Sequence, residues 1–397
     1  MKKLETLIQE LCPDGVEFVK LGEVCEIKGR IGFRGYTRKD LVSESEGAIT
    51  LSPSNIINGN IVYDKCSYIS WAKYEESPEI MAEVGDVVFT KTASVGKTAY
   101  IENMPKEMTI NPQLVLLKKF RGISKYLAYI LKTTYFQNEV KKITGVGSVP
   151  NVPQSSLAKI EIPLPPIEVQ TEIVRILDKF TSLEAEIEAE LDCRKRQYEY
   201  YRDKLLSFDN VGGQEVTISK IGDIGRICMC KRIMKNQTNS ESGIPFYKIG
   251  TFGKVADAYI SNDVYEEYKK LYSYPKKGDI LMSASGTIGR TVVFDGKPSY
   301  FQDSNIVWVD NDEKKVLNSY LKYYYQIAKW KTQGGTIKRL YNSLLASTEI
   351  IFPSLDKQQE IVDKLGTFEA LISNIKQEIE LRQKQYEFYR EKLLTFE

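Results

Sequence analysis

Arginine, lysine, amide and hydroxyl side chains gather in three places of this chain, and each place occurs twice. KGRIGFRGYTRKD, residues 28–40, interleaves Arg30, Arg34, Arg38 and Lys39 with Phe33 and Tyr36; its later counterpart RICMCKRIMKNQT, residues 226–238, carries Lys231, Arg232, Lys235, Asn236 and Gln237. Two hairpin-like turns follow, KTASVGKT with Lys91, Ser94 and Lys97, and SASGTIGR with Ser283, Ser285 and Arg290. Last, Ser148 and Asn151 stand in one loop and Thr336, Lys338 and Arg339 in the other. Arginine and lysine match the acceptor edge of guanine, amides match adenine, and hydroxyls and further lysines suit phosphate oxygens, so the first loop, taken as a set, fits double-stranded DNA and the other places are candidates for it. Taken singly, each residue fits a solvated charge or turn position equally well. Lys97 and Arg290 hold the same place in their two turns. A base-reading residue should differ between two targets, so this pair suits phosphate positioning or a structural role.

Catalysis has no comparable foothold. The chain contains no histidine, which excludes Ser-His-Asp and Cys-His nucleophilic chemistry and His-containing zinc sites. SVGKT is superficially like a phosphate-binding loop, but Lys91 stands where the glycine five residues before Gly96 is needed. NPQL, residues 111–114, has Leu114 in place of the aromatic that an amino-methyltransferase stacks on a flipped adenine. PDGVEFVK places Lys20 one position late for a nuclease carboxylate-lysine cluster. A cysteine-only zinc site would rest on Cys228-Met229-Cys230 alone. The expectation is no catalytic residue, no cofactor and no metal. Six scattered cysteines fit reduced thiols in a cytoplasm. A net charge of +2 gives no global field, so any DNA claim rests on local clusters. No apolar run approaches the ~20 residues of a membrane span. MKKLETLIQELC reads as a short amphipathic helix rather than a signal peptide, with Leu4, Leu7, Ile8 and Leu11 at helical spacing.

The elements that must position these loops are announced by a duplication. Residues 165–208 match residues 353–396 at 20 of 44 positions without a gap. In the second copy Ile361, Leu365, Phe368, Ile372, Ile375, Ile379, Arg382, Tyr386, Tyr389, Leu393 and Phe396 step by 4 and 3, a heptad seam. The first copy repeats it from Ile173 to Phe208, with Glu184 departing from the apolar rule and Arg194 matching Arg382. Pro163, Pro165, Pro166 and Pro353 mark the starts. Each helix predicts some 40 residues, about 60 Å at 1.5 Å per residue. Such a stripe needs a cover, and the other copy is the nearest candidate; a homodimer is the alternative. Periodicity does not choose between parallel and antiparallel. The segments outside rhyme too: KLGEVCEI with KIGDIGRI, and GDVVFTKTASVGKT with GDILMSASGTIGRT. VVFT, AITLS, QLVLLKK, ILMSA, TVVFD and NIVWV read as strands. One helix is expected in each of ISKYLAYILKTTYFQNEVKKI and VLNSYLKYYYQIAKWK. The fold class is α+β, with globular domains at 1–164 and 209–352 and helices at 165–208 and 353–397.

IPLPPIEVQTEIV after Gly-Val-Gly-Ser, echoed by IIFPSLDKQQEIV after GGT with Gln170 and Gln358 in corresponding places, resembles the DNA-specificity subunit of type I restriction-modification systems. The resemblance covers the whole chain; Ser354 departs where the family favours a second proline. It implies two target-recognition domains, each reading one half of a split, asymmetric site. It implies that the long helices lie antiparallel with pseudo-twofold symmetry, set the spacing and dock two modification (methyltransferase) subunits. Restriction subunits (translocase and nuclease) would join through the complex, supplying chemistry this chain lacks. The competing readings are a stand-alone methyltransferase or nuclease, and a coiled-coil scaffold or homodimeric DNA-binding regulator.

Overall fold

The computed structural model describes residues 2–32, 35–145, 147–208, 216–334 and 338–396. The chain forms two units, Met1–Glu188 with Gln377–Glu397, and Ala189–Lys376. In the first, one sheet runs in the order Glu26–Lys28, Leu114–Lys118, Val87–Thr90, Thr98–Tyr100, all antiparallel. A second sheet runs Met108–Ile110, Gly47–Leu51, Ser67–Ser70, Leu41–Val42, with the first pair parallel and the others antiparallel. The second unit repeats both. Its sheets are Gly225–Cys228, Ile306–Asn311, Ile280–Ser283, Thr291–Val293, and Tyr300–Phe301, Ile244–Tyr247, Tyr259–Ile260, Thr238–Asn239, again with one parallel pair at the same place. A two-stranded ribbon closes each unit, Phe18–Lys20 on Glu161–Pro163 and Thr217–Lys220 on Glu349–Phe352.

Continuous apolar runs form these strands because both faces of the first sheet are covered. Side chains alternate across it. Val87, Phe89, Val115 and Leu117 pack under the helical residues Tyr126, Leu127 and Phe136, while Val88, Leu114 and Leu116 meet Ile49, Leu51 and Met108 of the second sheet. In the other unit Ile280, Met282, Val307 and Val309 pack under Tyr320 and Leu321, and Leu281, Ile306 and Trp308 meet Phe246 and Tyr300. Each unit is therefore helix on sheet on sheet. The shared Gly-Asp turns lead into the central strands. Gly85 (φ 101°) and Gly278 (φ 95°) take the left-handed conformation, and the carboxylates of Asp86 and Asp279 accept the backbone N–H of Glu83 and Lys276 at 2.9 and 2.7 Å.

All six expected strands form, but the single helix expected over 123–143 is two, Ser124–Ile130 and Thr134–Ile143. Thr133 makes the break, accepting the N–H of Phe136 while donating to the carbonyl of Ile130. The amino-terminal helix forms over Lys2–Leu11.

The long helices are Ile167–Ser207, 41 residues, and Leu355–Leu394, 40 residues. Their starts are latched by the paired glutamines. Gln170 donates to Pro165 O (2.7 Å) and accepts the N–H of Ile123 (2.9 Å). Gln358 donates to Pro353 O and Lys315 O and accepts the N–H of Leu317, all at 2.8 Å. Both are buried, and Ile123 and Leu317 are the caps of the domain helices Ser124–Ile130 and Asn318–Ile327.

The seam is borne out. In the C-terminal helix each position is buried or half-buried except Arg382. In the first unit Phe180 stacks on Tyr389, centroids 5.3 Å apart, and Glu184 accepts a hydrogen bond from Gln383 at 2.7 Å. In the second, Tyr201 stacks on Phe368 at 5.4 Å. Phe368 and Tyr389 are the duplicated copies of Phe180 and Tyr201, so the two stacks are one pairing with the copies exchanged. Early residues of one helix meet late residues of the other in each unit, the antiparallel relation. Arg194 and Arg382 turn along their own helices to Glu190 and Glu378.

Candidate nucleic-acid interface

In the second unit the three expected segments converge on the turn Gln302–Asn305, which the sequence reading did not single out. Ser285 Oγ donates to Asn305 Oδ1 at 2.8 Å, and the N–H of Ala284 donates to the Asn305 carbonyl at 2.7 Å. Ser285 also bridges to Arg339. Arg232 Nε donates to Asp303 Oδ2 at 2.9 Å. The loop after Cys228, the hairpin after Ile280–Ser283 and the Lys338-Arg339 loop thus meet at one edge. Lys231 sits over the Tyr272 ring, 4.9 Å from its centroid, and together with Arg232, Ser273 and Asp303 they line a cleft of about 340 Å³.

The first unit builds the same edge on Ile110–Gln113. Lys91 N–H donates to the Gln113 carbonyl at 2.9 Å, as Ala284 does to Asn305. Thr92 Oγ1 donates to Asn151 Oδ1 at 2.8 Å, and Thr92 bridges to Asn151 as Ser285 bridges to Arg339. NPQL, which fails as a methyltransferase motif, is this turn. Arg30 comes to it from the inside: 4% exposed, it donates to the carbonyl of Ile110 at 3.3 Å and lies over Tyr36. Desolvation lowers its affinity for the proton.

Several expected contact residues are therefore committed within the fold. Besides Arg30, Ser283 is fully buried, receiving the N–H of Arg290 at 3.0 Å and fixing the hairpin. Ser285 is 5% exposed. Lys97 Nζ donates to Pro53 O and Ile56 O, and Arg290 donates to Phe252 O at 2.9 Å. Each pins its hairpin to the second sheet's side, the structural role the matched pair allowed. Gln237 is spent on the Met234 N–H and the Tyr268 hydroxyl. Tyr36 is half-buried, and Lys91 is half-buried with its ammonium pulled down by desolvation.

The outward set is Arg38, Lys39, Ser94, Ser148, Asn151, Lys231, Arg232, Lys235, Asn236, Lys338 and Arg339, all exposed. Arg38 and Lys39 ride one 3-10 turn capped by Thr37 and Asp40, and the hydrogen bonds from Thr37 hold the Asp40 carboxyl below its usual range. Lys235 and Asn236 ride the equivalent turn. Arg34 and Thr336 lie outside the described residues. Residue types alone do not mark Tyr272, Asp303 and Asn305, and they mark Asn111 and Gln113 only as part of NPQL; the repeated spacing from each hairpin to NPQL and DSNI is the available signal for the two turns.

Among the described residues no cluster of His, Cys, Asp or Glu could hold a metal, and no helix is long and apolar enough to cross a membrane. Burial pushes the Cys25 and Cys230 thiols up to about 12, far from the thiolate. The family model for the type I restriction modification DNA specificity domain matches twice, over residues 13–192 and 213–381. The chain belongs to this DNA specificity family. A type I restriction enzyme specificity subunit so named in Haemophilus influenzae is 56% identical over 256 residues, 61% of this chain and 66% of the relative. The EcoR124I/EcoR124II specificity subunit of Escherichia coli is 34% identical over 265 residues, 61% of this chain and 64% of its own length. The matches thus span just under two thirds of these relatives. A chain from a solved type I R-M system shares the fold of this specificity-family member, with TM-score 0.62, 19% identity and coverage of 96% of this chain and 98% of that one.

Proposed function

We propose that this chain is the DNA sequence-specificity subunit of a type I restriction-modification complex. Each unit reads one half of a bipartite, asymmetric site. The long helices set the gap and dock two methyltransferase subunits, and restriction subunits join through the assembly. Methyl transfer and cleavage come from those partners, in the cytoplasm. The observation that carries the reading is the double family match, one copy to each of two domains of equal topology whose outward residues differ. Arg38 and Lys39 face out in one unit, Lys231, Arg232 and Asn236 in the other, as two unlike half-sites require. Stacking of Phe180 on Tyr389 and of Tyr201 on Phe368 within the chain supports an intramolecular pair over a homodimeric regulator. The test is methylome sequencing of cells expressing the chain with its modification subunit. Two dissimilar half-sites at a fixed gap are expected; a palindromic site, or methylation or cutting by the purified chain alone, overturns the reading.

A further inference from the structure

We infer that Arg232 reads a guanine edge in the half-site of the second unit, and that Asp303 is the positioning residue that aims it. This rests on the reading of that unit as a DNA reader. Arg232 bonds Asp303 through Nε, and its side chain is 66% exposed against 19% for Asp303. A carboxylate on Nε holds one edge of the guanidinium and leaves the terminal nitrogens uncommitted among the described residues. Two parallel N–H groups of that kind match O6 and N7 of guanine.

Asp303 is itself fixed. The N–H of Asn305 donates to its carbonyl at 2.6 Å, and Ser304 takes the left-handed conformation at φ 55°. Gln302 accepts the N–H of Ile249, and Asn305 accepts from Ser285. The aspartate therefore stands on a turn braced from both sides. A phosphate contact needs no such brace, and a carboxylate beside a phosphate is repulsive. A neutral base tolerates the carboxylate. Lys231, held over Tyr272 at the same cleft, supplies the cation for the neighbouring backbone. In the first unit the equivalent turn position is Asn111, and Arg30 is buried, so the guanine contact belongs to one half-site.

The experiment is selection from a randomised duplex library by the full chain assembled with its modification subunits, comparing wild type with Arg232→Ala, Arg232→Lys and Asp303→Asn. Wild type should require guanine at one position of one half-site. Arg232→Ala should relax that position on the order of 10- to 100-fold and no other. Arg232→Lys, which keeps the charge and loses the fork, should relax the same position with overall affinity retained. Asp303→Asn should relax it less. Uniform weakening across all sequences, unchanged preference, or relaxation at a base pair lacking guanine overturns the inference. If Arg232→Ala does not assemble, Arg232→Gln, whose amide pairs with adenine, decides by losing the guanine preference at that position. Should wild type select no bipartite sequence, the proposed function itself fails, a distinguishable result.

Discussion

Replacing Gln358 by alanine severs three hydrogen bonds at the head of the C-terminal helix, one buried and two part-buried. The N–H of Leu317 and the carbonyls of Pro353 and Lys315 lose their partner together. The side chain is fully buried, so water does not replace it without opening the joint. A buried polar group left unsatisfied costs about 1–3 kcal/mol. Carbonyls with a second lone pair sit at the low end, which gives a total of about 3–5 kcal/mol. Gln170→Ala severs two bonds and should cost about 2–4 kcal/mol in the first unit by the same reasoning. The assay is denaturant unfolding followed by tryptophan fluorescence in a Trp71→Phe background. That leaves Trp308 and Trp330, both in the second unit, to report Gln358→Ala. A loss under about 1 kcal/mol, smaller than one unsatisfied group, would refute the latch.

Deleting one heptad from both long helices removes about 10 Å of rise, so the preferred gap between half-sites should shorten by about 3 base pairs; binding with an unchanged gap rejects the ruler. Lys338→Ala and Arg339→Ala should each reduce the slope of log affinity against log salt by about 1 if these exposed cations sit on phosphates; a base-specific change with unaltered slope contradicts this. Lys132 is held down to about 8 by burial, with Arg390 and Lys125 adding repulsion. A depressed lysine binds its proton less well folded than unfolded, so its contribution makes stability rise between pH 8 and the ordinary 10.5. Urea unfolding from pH 7.5 to 10 should show that rise in wild type and a flatter profile in Lys132→Met; parallel profiles refute the assignment.

The heptad seam is legible because its period survives any tertiary context, and its positions are buried or half-buried except Arg382 and, in the first copy, Tyr201. Direction along the seam was not, since an apolar stripe is the same read either way. The strands were legible from their apolar runs. Thr133 was overlooked because a threonine inside a helical period looks tolerable until its hydroxyl takes over a backbone N–H. The site was half legible. Ser283, Ser285 and Arg290 have the residue types of DNA readers, but register within the hairpin turns them inward. Asp303 was invisible because an acid looks wrong for DNA until its partner arginine is known. Asn111 belongs to NPQL, whose residue types point to methyltransferase chemistry while its place is the turn against the Lys91 hairpin.

The glutamine joint grips main chain alone: one amide and two carbonyls at Gln358, one of each at Gln170. Every amino acid but proline presents the same groups at those three points. A clasp of that kind is blind to the identity of what it fastens, so the segment between two such clasps can be traded for a foreign one without rewriting the fastening. On the proposed function, new target preferences are then open to this chain by recombination in a single step.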